Sequence, residues 1–260
     1  MSFQATTRAI IPPMTSLSGK TALVTGASKG IGKAIAIAYG EVGANVVATA
    51  RTASEIEEVT NTIKATGANA LGVIADLGVE SEIDSLADAA IAEFGGVDIL
   101  VNNAAIIHGR IPIIEMDTDL WRDVLNVNIT GAFLITKKLL PGMIDRRYGK
   151  VINISSIGGR KGAAGRSAYR VTKTGLISFT ESLAAEVYEH GINVNAICPG
   201  GTDTEGYRSA FNTTGRDENP KLMDPREIAE VSLFLASDAK NLEDLLLIGF
   251  GISQNLLTCQ

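Results

Sequence analysis

A tyrosine and a lysine four residues apart, Tyr169 and Lys173, form the pair in this sequence best suited to moving a proton. Residues at this spacing lie on one face of a helix. A neighbouring ammonium favours the phenolate, and lowering a phenol pKa from near 10 by ~3 units requires about 4 kcal/mol of differential stabilisation. A tyrosine and a lysine at this spacing often occur by chance, so a catalytic role needs support from their position in the fold. Ser156 supplies that support, because it lies thirteen residues before Tyr169, where a predicted strand ends.

A glycine-rich loop, Thr25-Gly26-Ala27-Ser28-Lys29-Gly30-Ile31-Gly32, follows the first predicted strand and opens a helix. Glycines at such a junction let backbone N–H groups approach a phosphate, and the helix N-terminus adds its positive end. A P-loop is excluded, because five residues separate Gly26 from Gly32 and Ala34 stands where a magnesium-binding hydroxyl is needed. The strict GxGxxG spacing fails as well. The alternative to a nucleotide loop is a tight turn without a ligand.

Short apolar runs alternate along the chain with longer segments of helical period. The strands and helices that this alternation indicates must position both the Tyr169–Lys173 pair and the glycine-rich loop. Near-continuous apolar strands joined by helices are typical of a parallel sheet covered on both faces. We predict one doubly wound, Rossmann-type α/β domain with a parallel sheet of six to seven strands. It spans residues 19–260 and follows an N-terminal tail, residues 1–18. The predicted strands are Thr21–Thr25, Asn45–Ala50, Ala70–Ala75, Asp98–Asn102, Lys150–Ser155 and Ile192–Cys198, and the helices include Gly32–Val42, Ser54–Ala65, Glu80–Phe94, Asp119–Asp145 and Ser167–Glu189.

From about Lys20 to Asp238 the sequence resembles the short-chain dehydrogenase/reductase family, whose cofactor loop has the spacing TGxxxGIG. Asn102-Asn103-Ala104-Ala105 is similar to the NNAG motif of that family, with alanine in place of the last residue. Asp76-Leu77 is similar to the pair that lies against the adenine ring. Pro199-Gly200 is similar to the turn near the nicotinamide. The overall resemblance extends to 3-oxoacyl-carrier-protein reductase-like members and to broad-specificity ketoreductases.

The resemblance implies catalytic roles for four residues. Tyr169 would be the general acid/base, Ser156 would bind the substrate oxygen, and Lys173 would tune the phenol and hold the nicotinamide ribose. Asn128 would keep a water molecule that links Lys173 to solvent. Asn126 and Ser155 are the neighbouring alternatives to Asn128 and Ser156. The implied cofactor-binding residues are Gly26, Ser28, Lys29, Gly30, Ile31, Gly32, Arg51, Asp76, Leu77, Asn103, Ala104, Tyr169, Lys173, Pro199, Gly200 and Thr204.

The charges near the second strand favour NADP(H). An NAD enzyme usually places Asp or Glu about 20 residues after the glycines, where it accepts a hydrogen bond from the ribose 2′-hydroxyl. The corresponding stretch, Ala48–Thr52, has no acid and contains Arg51, and we expect Lys29 to lie close by. Two cations without a carboxylate favour a 2′-phosphate through charge-assisted hydrogen bonds. These two basic positions resemble the NADP-preferring members.

The composition excludes several other classes of protein. The 260 residues include 23 basic and 29 acidic residues, a net charge of -6, so we expect no nucleic-acid partner. Two cysteines and two histidines form no metal-ligand cluster. The early apolar patch, Ala9-Ile10-Ile11, is too short for a secretory segment or a membrane span. We expect a cytoplasmic protein that acts on a small molecule and has no membrane partner.

The C-terminal third departs from the family pattern. Residues 201–224 correspond to a lid over the substrate, and residues 239–260 are atypical. Members of the family usually end in a last strand followed by Asp-Gly-Gly, whereas Leu245–Gly251 keeps only the apolar character. The seventh strand is therefore left open. The same holds for the contacts of the homo-oligomer, a dimer or tetramer, that the resemblance implies.

These observations predict an oxidoreductase that transfers a hydride between NADP(H) and a carbonyl or secondary alcohol. One alternative is a catalytically silent protein that binds or senses NADP(H). A second is epimerisation or dehydration on the same scaffold, which requires a further acid/base group. Only His108, on the loop after the Asn-Asn-Ala-Ala motif, lies near enough, and we interpret it as a loop histidine.

Overall fold

Six parallel strands form a sheet in the order β3-β2-β1-β4-β5-β6 in the computed structural model, which describes residues 16–216, 219, 221–238 and the backbone of 257–258. The predicted doubly wound, Rossmann-type fold is confirmed. Each predicted strand is present, with ends that differ by no more than one residue. The strands are β1 Thr21–Thr25, β2 Asn45–Ala50, β3 Ala70–Ile74, β4 Ile99–Asn102, β5 Gly149–Ile154 and β6 Ile192–Cys198.

The seventh strand, β7 Leu257–Thr258, runs antiparallel and pairs with Ile197 and Cys198 at the end of β6. The predicted parallel sheet is therefore confirmed with six strands, and the seventh strand, which the sequence left open, is antiparallel. An antiparallel pair can form at a sheet edge without the crossover that a parallel strand requires. The apolar run Leu245–Gly251 lies outside the described residues, as do residues 1–15 of the predicted tail.

Helices cover both faces of the sheet. Capping side chains fix several of their ends: Asp117 accepts hydrogen bonds from the backbone N–H groups of Asp119 (2.9 Å) and Leu120 (2.8 Å), and Asp224 forms a capping box with Glu227. The α-helices of the described residues are α1 Gly30–Glu41, α2 Ala53–Ala65, α3 Glu80–Phe94, α4 Thr118–Leu125, α5 Gly131–Arg146, α6 Ser167–Val187, α7 Glu205–Phe211 and α8 Pro225–Ala236.

A π turn, Asn126–Thr130, joins α4 to α5. The backbone N–H of Gly131 reaches back five residues to the Asn126 carbonyl, where a regular α-helix would reach back four. The sequence predicts one helix over Asp119–Asp145. The helical region has this extent to within one residue at each end, but the π turn that interrupts it was not predicted. The spacing of hydrophobic residues alone does not reveal one extra residue within a helical turn.

Each face of the sheet has its own hydrophobic core. The α1, α2 and α8 side is packed by residues such as Ile35, Ile56 and Ile228, and the α3, α5 and α6 side by residues such as Leu86 and Ile135. Alternate residues of a strand point to opposite faces, which is why the strands are apolar throughout. Full burial of one such side chain contributes about 1.5–3 kcal/mol.

The sheet order reverses between β1 and β4, which are neighbours although two strands, β2 and β3, separate them in the chain. In open α/β sheets, ligands bind beyond the carboxyl ends of the strands at this switch point. Thr25 ends β1 and Asn102 ends β4, so the glycine loop and the Asn-Asn-Ala-Ala motif meet there. The order of the strands thus places the two motifs on either side of one crevice.

The chain ends and the predicted lid add smaller features. Leu17, within the predicted tail, is buried, and its backbone N–H donates to the Val42 carbonyl at 2.9 Å. The lid contains α7 and a bridge between Thr202 and Met223. Across the described part of the chain, no helix has both the length and the apolar character needed to cross a membrane.

Candidate active site

The glycine loop is held against the start of the Asn-Asn-Ala-Ala motif. The Asn103 Nδ2 donates to the Thr25 carbonyl at 2.9 Å and to the Gly26 carbonyl at 3.0 Å. In return, the Thr25 hydroxyl accepts from the backbone N–H groups of Asn103 (3.0 Å) and Ala104 (3.1 Å). A Cβ on Gly32 would lie 2.3 Å from the Gly26 carbonyl oxygen, so only glycine fits there. The close approach keeps the N-terminus of α1 directed at the crevice.

This crevice is a cleft of about 510 Å³. Its volume lies in the range of sites that bury a small molecule or cofactor. Eleven of the sequence-predicted cofactor residues line it: Gly26, Ser28, Lys29, Gly30, Ile31, Arg51, Asp76, Leu77, Asn103, Ala104 and Thr204. The cleft thus brings together most of the predicted nucleotide site, which stretches from the glycine loop to the ends of β2 and β3.

The other five predicted cofactor residues do not line this cleft: Gly32, Tyr169, Lys173, Pro199 and Gly200. Gly32, the last residue of the glycine loop, packs against the Gly26 carbonyl. Pro199 lies next to the end of β5, because its carbonyl accepts from the Ile157 backbone N–H at 3.0 Å. Thr204 begins α7, and its hydroxyl accepts from the Tyr207 backbone N–H at 3.1 Å. In this conformation the Thr204 hydroxyl serves as a helix cap.

The cations near β2 have acidic partners, which the sequence does not predict. Lys29 Nζ lies 2.7 Å from Glu55 Oε1, and Arg51 Nη1 lies 3.7 Å from Asp76 Oδ2. The hydrogen bond from Lys29 lowers the pKa of the Glu55 carboxyl, and the same contact raises the pKa of Lys29. The expectation of two cations without a carboxylate is therefore wrong, because Glu55 is brought to Lys29 by the first turn of α2.

Tyr169 and Ser156 meet where α6 passes the end of β5. The Ser156 hydroxyl accepts from the Gly158 backbone N–H at 2.9 Å and lies close enough to the Tyr169 phenol to act on its pKa. Burial raises the pKa of the Tyr169 phenol, while Ser156 and the nearby guanidinium groups of Arg166 and Arg170 act in the opposite direction. The phenol therefore holds its proton, and it can donate that proton to an oxygen placed beside Ser156.

Lys173 lies one turn further along α6, with 3% of its surface exposed. Its Nζ donates to the Ile154 carbonyl at 2.7 Å and lies 5.6 Å from the centroid of the Tyr169 ring. Burial lowers the pKa of the Lys173 ammonium to about 8. The predicted lowering of the Tyr169 pKa by Lys173 is not seen, because burial of the phenol outweighs it and the ammonium is bound to a carbonyl.

Two choices between neighbouring residues are distinguished by hydrogen bonding. The Ser155 hydroxyl is buried and donates to the Lys173 carbonyl at 2.7 Å, whereas the Ser156 hydroxyl acts on the pKa of the Tyr169 phenol. Asn126 Nδ2 donates to the Gly78 carbonyl at 2.7 Å, away from the tyrosine. The geometry therefore favours Ser156 and Asn128 over their neighbours.

Asn128 lies within the π turn and connects the cleft to α6. Its Oδ1 accepts from the Ile106 backbone N–H at 2.7 Å, and its Nδ2 donates to the Ile106 carbonyl at 3.1 Å. The same Nδ2 lies 3.2 Å from the Thr172 hydroxyl. Because Ile106 lines the cleft, this buried amide fixes the distance between the cofactor cleft and the Tyr169–Lys173 face. π turns occur frequently at functional sites.

Two residues close to this cluster were missed or given little weight in the sequence. His108 is buried; its Nε2 accepts from the Tyr169 backbone N–H at 3.3 Å and its Nδ1 donates to the Gly109 carbonyl at 2.7 Å. Burial lowers the pKa of His108, so the imidazole is neutral. Arg166 is buried and immediately precedes α6, three residues before Tyr169. Within the described ranges, no group of three metal-ligating side chains is present.

Comparisons with known proteins agree with this geometry. Residues 20–214 match the family model described as short chain dehydrogenase. The 3-oxoacyl-[acyl-carrier-protein] reductase of Vibrio cholerae is 40% identical over 227 residues, which cover 85% of this chain and 91% of that protein. The crystal structure of a 3-ketoacyl-(acyl-carrier-protein) reductase from Brucella melitensis, complexed with NADH, has a TM-score of 0.79 at 33% identity and covers 86% of this chain and 93% of its own. A structure from Beutenbergia cavernae, assigned as an NAD(P)-dependent gluconate 5-dehydrogenase with bound NADP, also has a TM-score of 0.79 at 33% identity, covering 86% and 92% of the two chains.

Proposed function

We propose that this chain, which belongs to the short-chain dehydrogenase family, is an NADP(H)-dependent ketoreductase that converts a ketone to a secondary alcohol. The observation that carries the proposal is the closeness of Ser156 to a protonated Tyr169 on α6, which Asn128 joins through Thr172 and Ile106 to a nucleotide-sized cleft. The silent alternative has no such support, since each of the four expected catalytic residues is present. No second acid/base pair favours epimerisation or dehydration in the part of the chain that the structure describes.

The cleft fits a dinucleotide. A Cβ on Gly26 would lie 2.8 Å from the Ala104 Cα, so the loop is shaped by close backbone approach. Backbone N–H groups at the start of α1 would bind the pyrophosphate, and Asp76 and Leu77 would lie against the adenine. Lys29 and Arg51 would bind a 2′-phosphate by exchanging their carboxylate partners for it, which supports NADP(H) over NAD(H).

The reaction requires a proton at the substrate oxygen. When bound, the nicotinamide supplies the hydride to the carbonyl carbon. The Ser156 hydroxyl donates a hydrogen bond to the carbonyl oxygen and orients it beside Tyr169. The Tyr169 phenol then gives its proton to the oxygen as negative charge develops there, which a positioned acid does far better than water near neutral pH.

Lys173 and Asn128 support that proton transfer. Lys173 is the nearest ammonium to the phenolate left behind, and its charge stabilises that anion until the proton is replaced. A lysine whose pKa is about 8 can both hold and release a proton near neutral pH. Asn128, through Thr172 and Ile106, keeps this part of α6 in register with the cleft.

Two substrate classes follow from the relatives. The Vibrio cholerae relative is named for a 3-oxoacyl thioester on a carrier protein, and the Beutenbergia cavernae structure for a sugar acid. Both contain a ketone or secondary alcohol that Ser156 and Tyr169 could bind. We propose that the substrate is likewise a ketone and that the reaction runs in the direction of reduction.

The test is NADPH oxidation with a panel of 3-oxoacyl thioesters, β-ketoesters and sugar ketones. We expect Tyr169→Phe to lower kcat by about 10²–10⁴-fold, the usual contribution of a general acid. Tyr188→Phe is the matched control, because Tyr188 is 80% exposed at the end of the same helix region, and it should keep wild-type kcat. A loss of less than tenfold in Tyr169→Phe would contradict the assigned role.

We also propose that the protein forms a homo-oligomer and is located in the cytoplasm. Large apolar side chains on α5 and α6, Phe133 and Val171, are 44% and 49% exposed, which supports burial of these faces against another copy. Sedimentation analysis of the wild type and of Val171→Glu tests this. A monomeric wild type, or a variant with unchanged mass, would contradict it, and cell fractionation tests the location.

A further inference from the structure

Arg166 is an unusual charge because it is buried without an acidic partner. Only 6% of its surface is exposed. Its Nη1 donates to the His108 carbonyl, and among the described residues no carboxylate lies within ion-pair distance of its guanidinium. Buried charges in proteins are normally paired, because leaving water is costly for an ion without a counter-charge. Arg166 therefore has donors available for a partner that the chain does not supply.

The surroundings of Arg166 are positive as well. The charged groups whose fields act on it are the guanidinium groups of Arg170 and Arg110, and the other contributors are two phenols, those of Tyr169 and Tyr207. The acid at the start of the lid, Asp203, is bound to Arg208. Among the described residues, the ions whose charges act on Arg166 are thus two further arginines, and no carboxylate is one of them. An anion placed there would gain from all three charges.

Arg166 lies at the reacting end of the site. Its Cζ is 5.0 Å from the centroid of the Tyr169 ring and 4.8 Å from the centroid of the Phe211 ring in α7. Phe211 in turn packs on Tyr207, with ring centroids 4.6 Å apart. The guanidinium is therefore held between the proton donor and the lid. A group bound to it can be only a few bonds from the carbonyl that Tyr169 protonates.

We propose that Arg166 binds a carboxylate of the substrate, so that the preferred substrate is a short keto acid. The proposal rests on the ketoreductase function proposed above. A planar guanidinium matches a carboxylate through two parallel hydrogen bonds. The region around the ketone of a carrier-protein thioester is uncharged and would leave Arg166 unpaired. Arg166 is then the residue that selects acid over thioester, while Ser156 and Tyr169 act on either.

The first experiment compares matched acids and esters with the wild-type protein. The substrates are 3-oxobutanoate and 4-oxopentanoate, each against its methyl ester, with NADPH oxidation as the readout. We expect kcat/KM to be at least tenfold higher for an acid than for its ester. Esters reduced as well as or better than both acids would overturn the subsite while leaving the ketoreductase function intact. Absence of turnover with acids, esters and thioesters would instead contradict the proposed function.

A binding measurement keeps the subsite testable in that last case. Butanoate and butanamide have the same length and cannot be reduced, so calorimetric titration into the NADP⁺-saturated protein reports the anion site alone. We expect butanoate to bind at least tenfold more tightly than butanamide. Equal affinities would refute an anion site at Arg166.

The variants assign the effect to one residue. In Arg166→Met the acid-to-ester ratio of kcat/KM should fall to about one, and in Arg166→Lys it should remain intermediate, because lysine keeps the charge but not the planar fork. Arg122→Met, on exposed α4, is the matched control and should keep the wild-type ratio. An unchanged ratio in Arg166→Met would overturn the proposal. If that variant does not fold, the wild-type ratio and the butanoate titration decide the question.

Discussion

The proton-holding residues of the site are both shifted toward their neutral forms. Burial raises the pKa of the Tyr169 phenol and lowers the pKa of the Lys173 ammonium to about 8. The sequence predicts the pair and its common helix face, because a spacing of four residues determines that face. It does not predict the direction of the Tyr169 shift, since spacing carries no information about how deeply α6 is packed.

Lys173 should make the stability of the protein depend on pH. Its pKa is about 8 when folded and 10.5 when unfolded, so between these values the unfolded chain binds more protons and stability rises with pH. Below pH 8 the lysine is charged in both states. The folded state is then destabilised by the full free energy of burying the ammonium, about 3 kcal/mol. We expect Lys173→Met to remove this rise. Urea unfolding of both proteins at pH 7.5 and pH 10 measures it, and a difference between them that does not vary with pH would contradict the assignment.

Arg51 should distinguish the two nicotinamide cofactors. Replacing it with aspartate removes a charge-assisted hydrogen bond to a 2′-phosphate, so Arg51→Asp should weaken NADPH binding by about 10-fold to 100-fold. NADH binding should change only a few-fold. Arg122→Asp is the matched control, because both side chains are 69% exposed and ion-paired. Fluorescence titration measures the affinities, and equal loss for both cofactors would argue against a bound 2′-phosphate.

Two residues of the site could not be assigned from the sequence. Glu55 and Arg166 acquire their significance from contacts between separate elements, α2 with the glycine loop and α6 with α7. Neither belongs to a motif, and an isolated Glu or Arg in a sequence is most often a solvated side chain. The motif residues were predictable because each has a required neighbour at a fixed distance along the chain.

At the scale of elements, hydrophobic period predicts the strands and helices well, since each side of the sheet is covered by apolar helix faces. The strand ends differ by no more than one residue, and helix α3 has the predicted bounds, Glu80–Phe94. The π turn and α7 were not foreseen. A π turn differs from an α-helix by one residue, and α7 is a short helix that depends on its Thr204 cap and on packing of the lid.

Gly32, at the start of α1, should tolerate no side chain. A Cβ there would lie 2.3 Å from the Gly26 oxygen and 2.4 Å from Asn103 Nδ2, so the loop would have to move. We expect Gly32→Ala to destabilise the fold by about 1–3 kcal/mol and to weaken NADPH binding at least tenfold. Gly175→Ala is the control, because the closest atom to its added Cβ would be Ile129 Cδ1 at 3.7 Å. Urea unfolding and NADPH titration compare the two, and similar behaviour of both variants would refute the argument.

At the scale of the whole molecule, the strand order determines the location of the site. The reversal between β1 and β4 brings the glycine loop and Asn103 together, and neighbouring β5 and β6 add Ser156 and Pro199. Right-handed crossovers make this order predictable from alternating strands and helices. The antiparallel β7 was not predictable, because an atypical C-terminal sequence gives no pattern for the direction of a two-residue strand.

NADPH should stabilise the whole domain, because the cleft joins elements from both halves of the sheet. At a concentration of 100 times Kd, a ligand that binds only the folded state adds about 2.7 kcal/mol. For a domain of this size each kcal/mol raises Tm by about 2–4 °C, so we expect a rise of roughly 5–11 °C. Thermal unfolding with NADPH and with adenosine at equal concentration measures it. An identical Tm with and without NADPH would contradict the cofactor assignment.

In the π turn, the conformation that the active site requires differs from the regular α-helix that is locally more common. Loss of any one residue from Asn126–Thr130 would restore an uninterrupted α-helix, which is the more common conformation. Because the wider turn takes up the extra residue, the deletion would move the side chains of the turn itself, while the helices on either side would keep their faces. The Asn128 amide would then leave Ile106, to which it is hydrogen-bonded. A shorter and locally better helix would therefore give a worse enzyme, so the chain length between α4 and α5 is itself part of the active site.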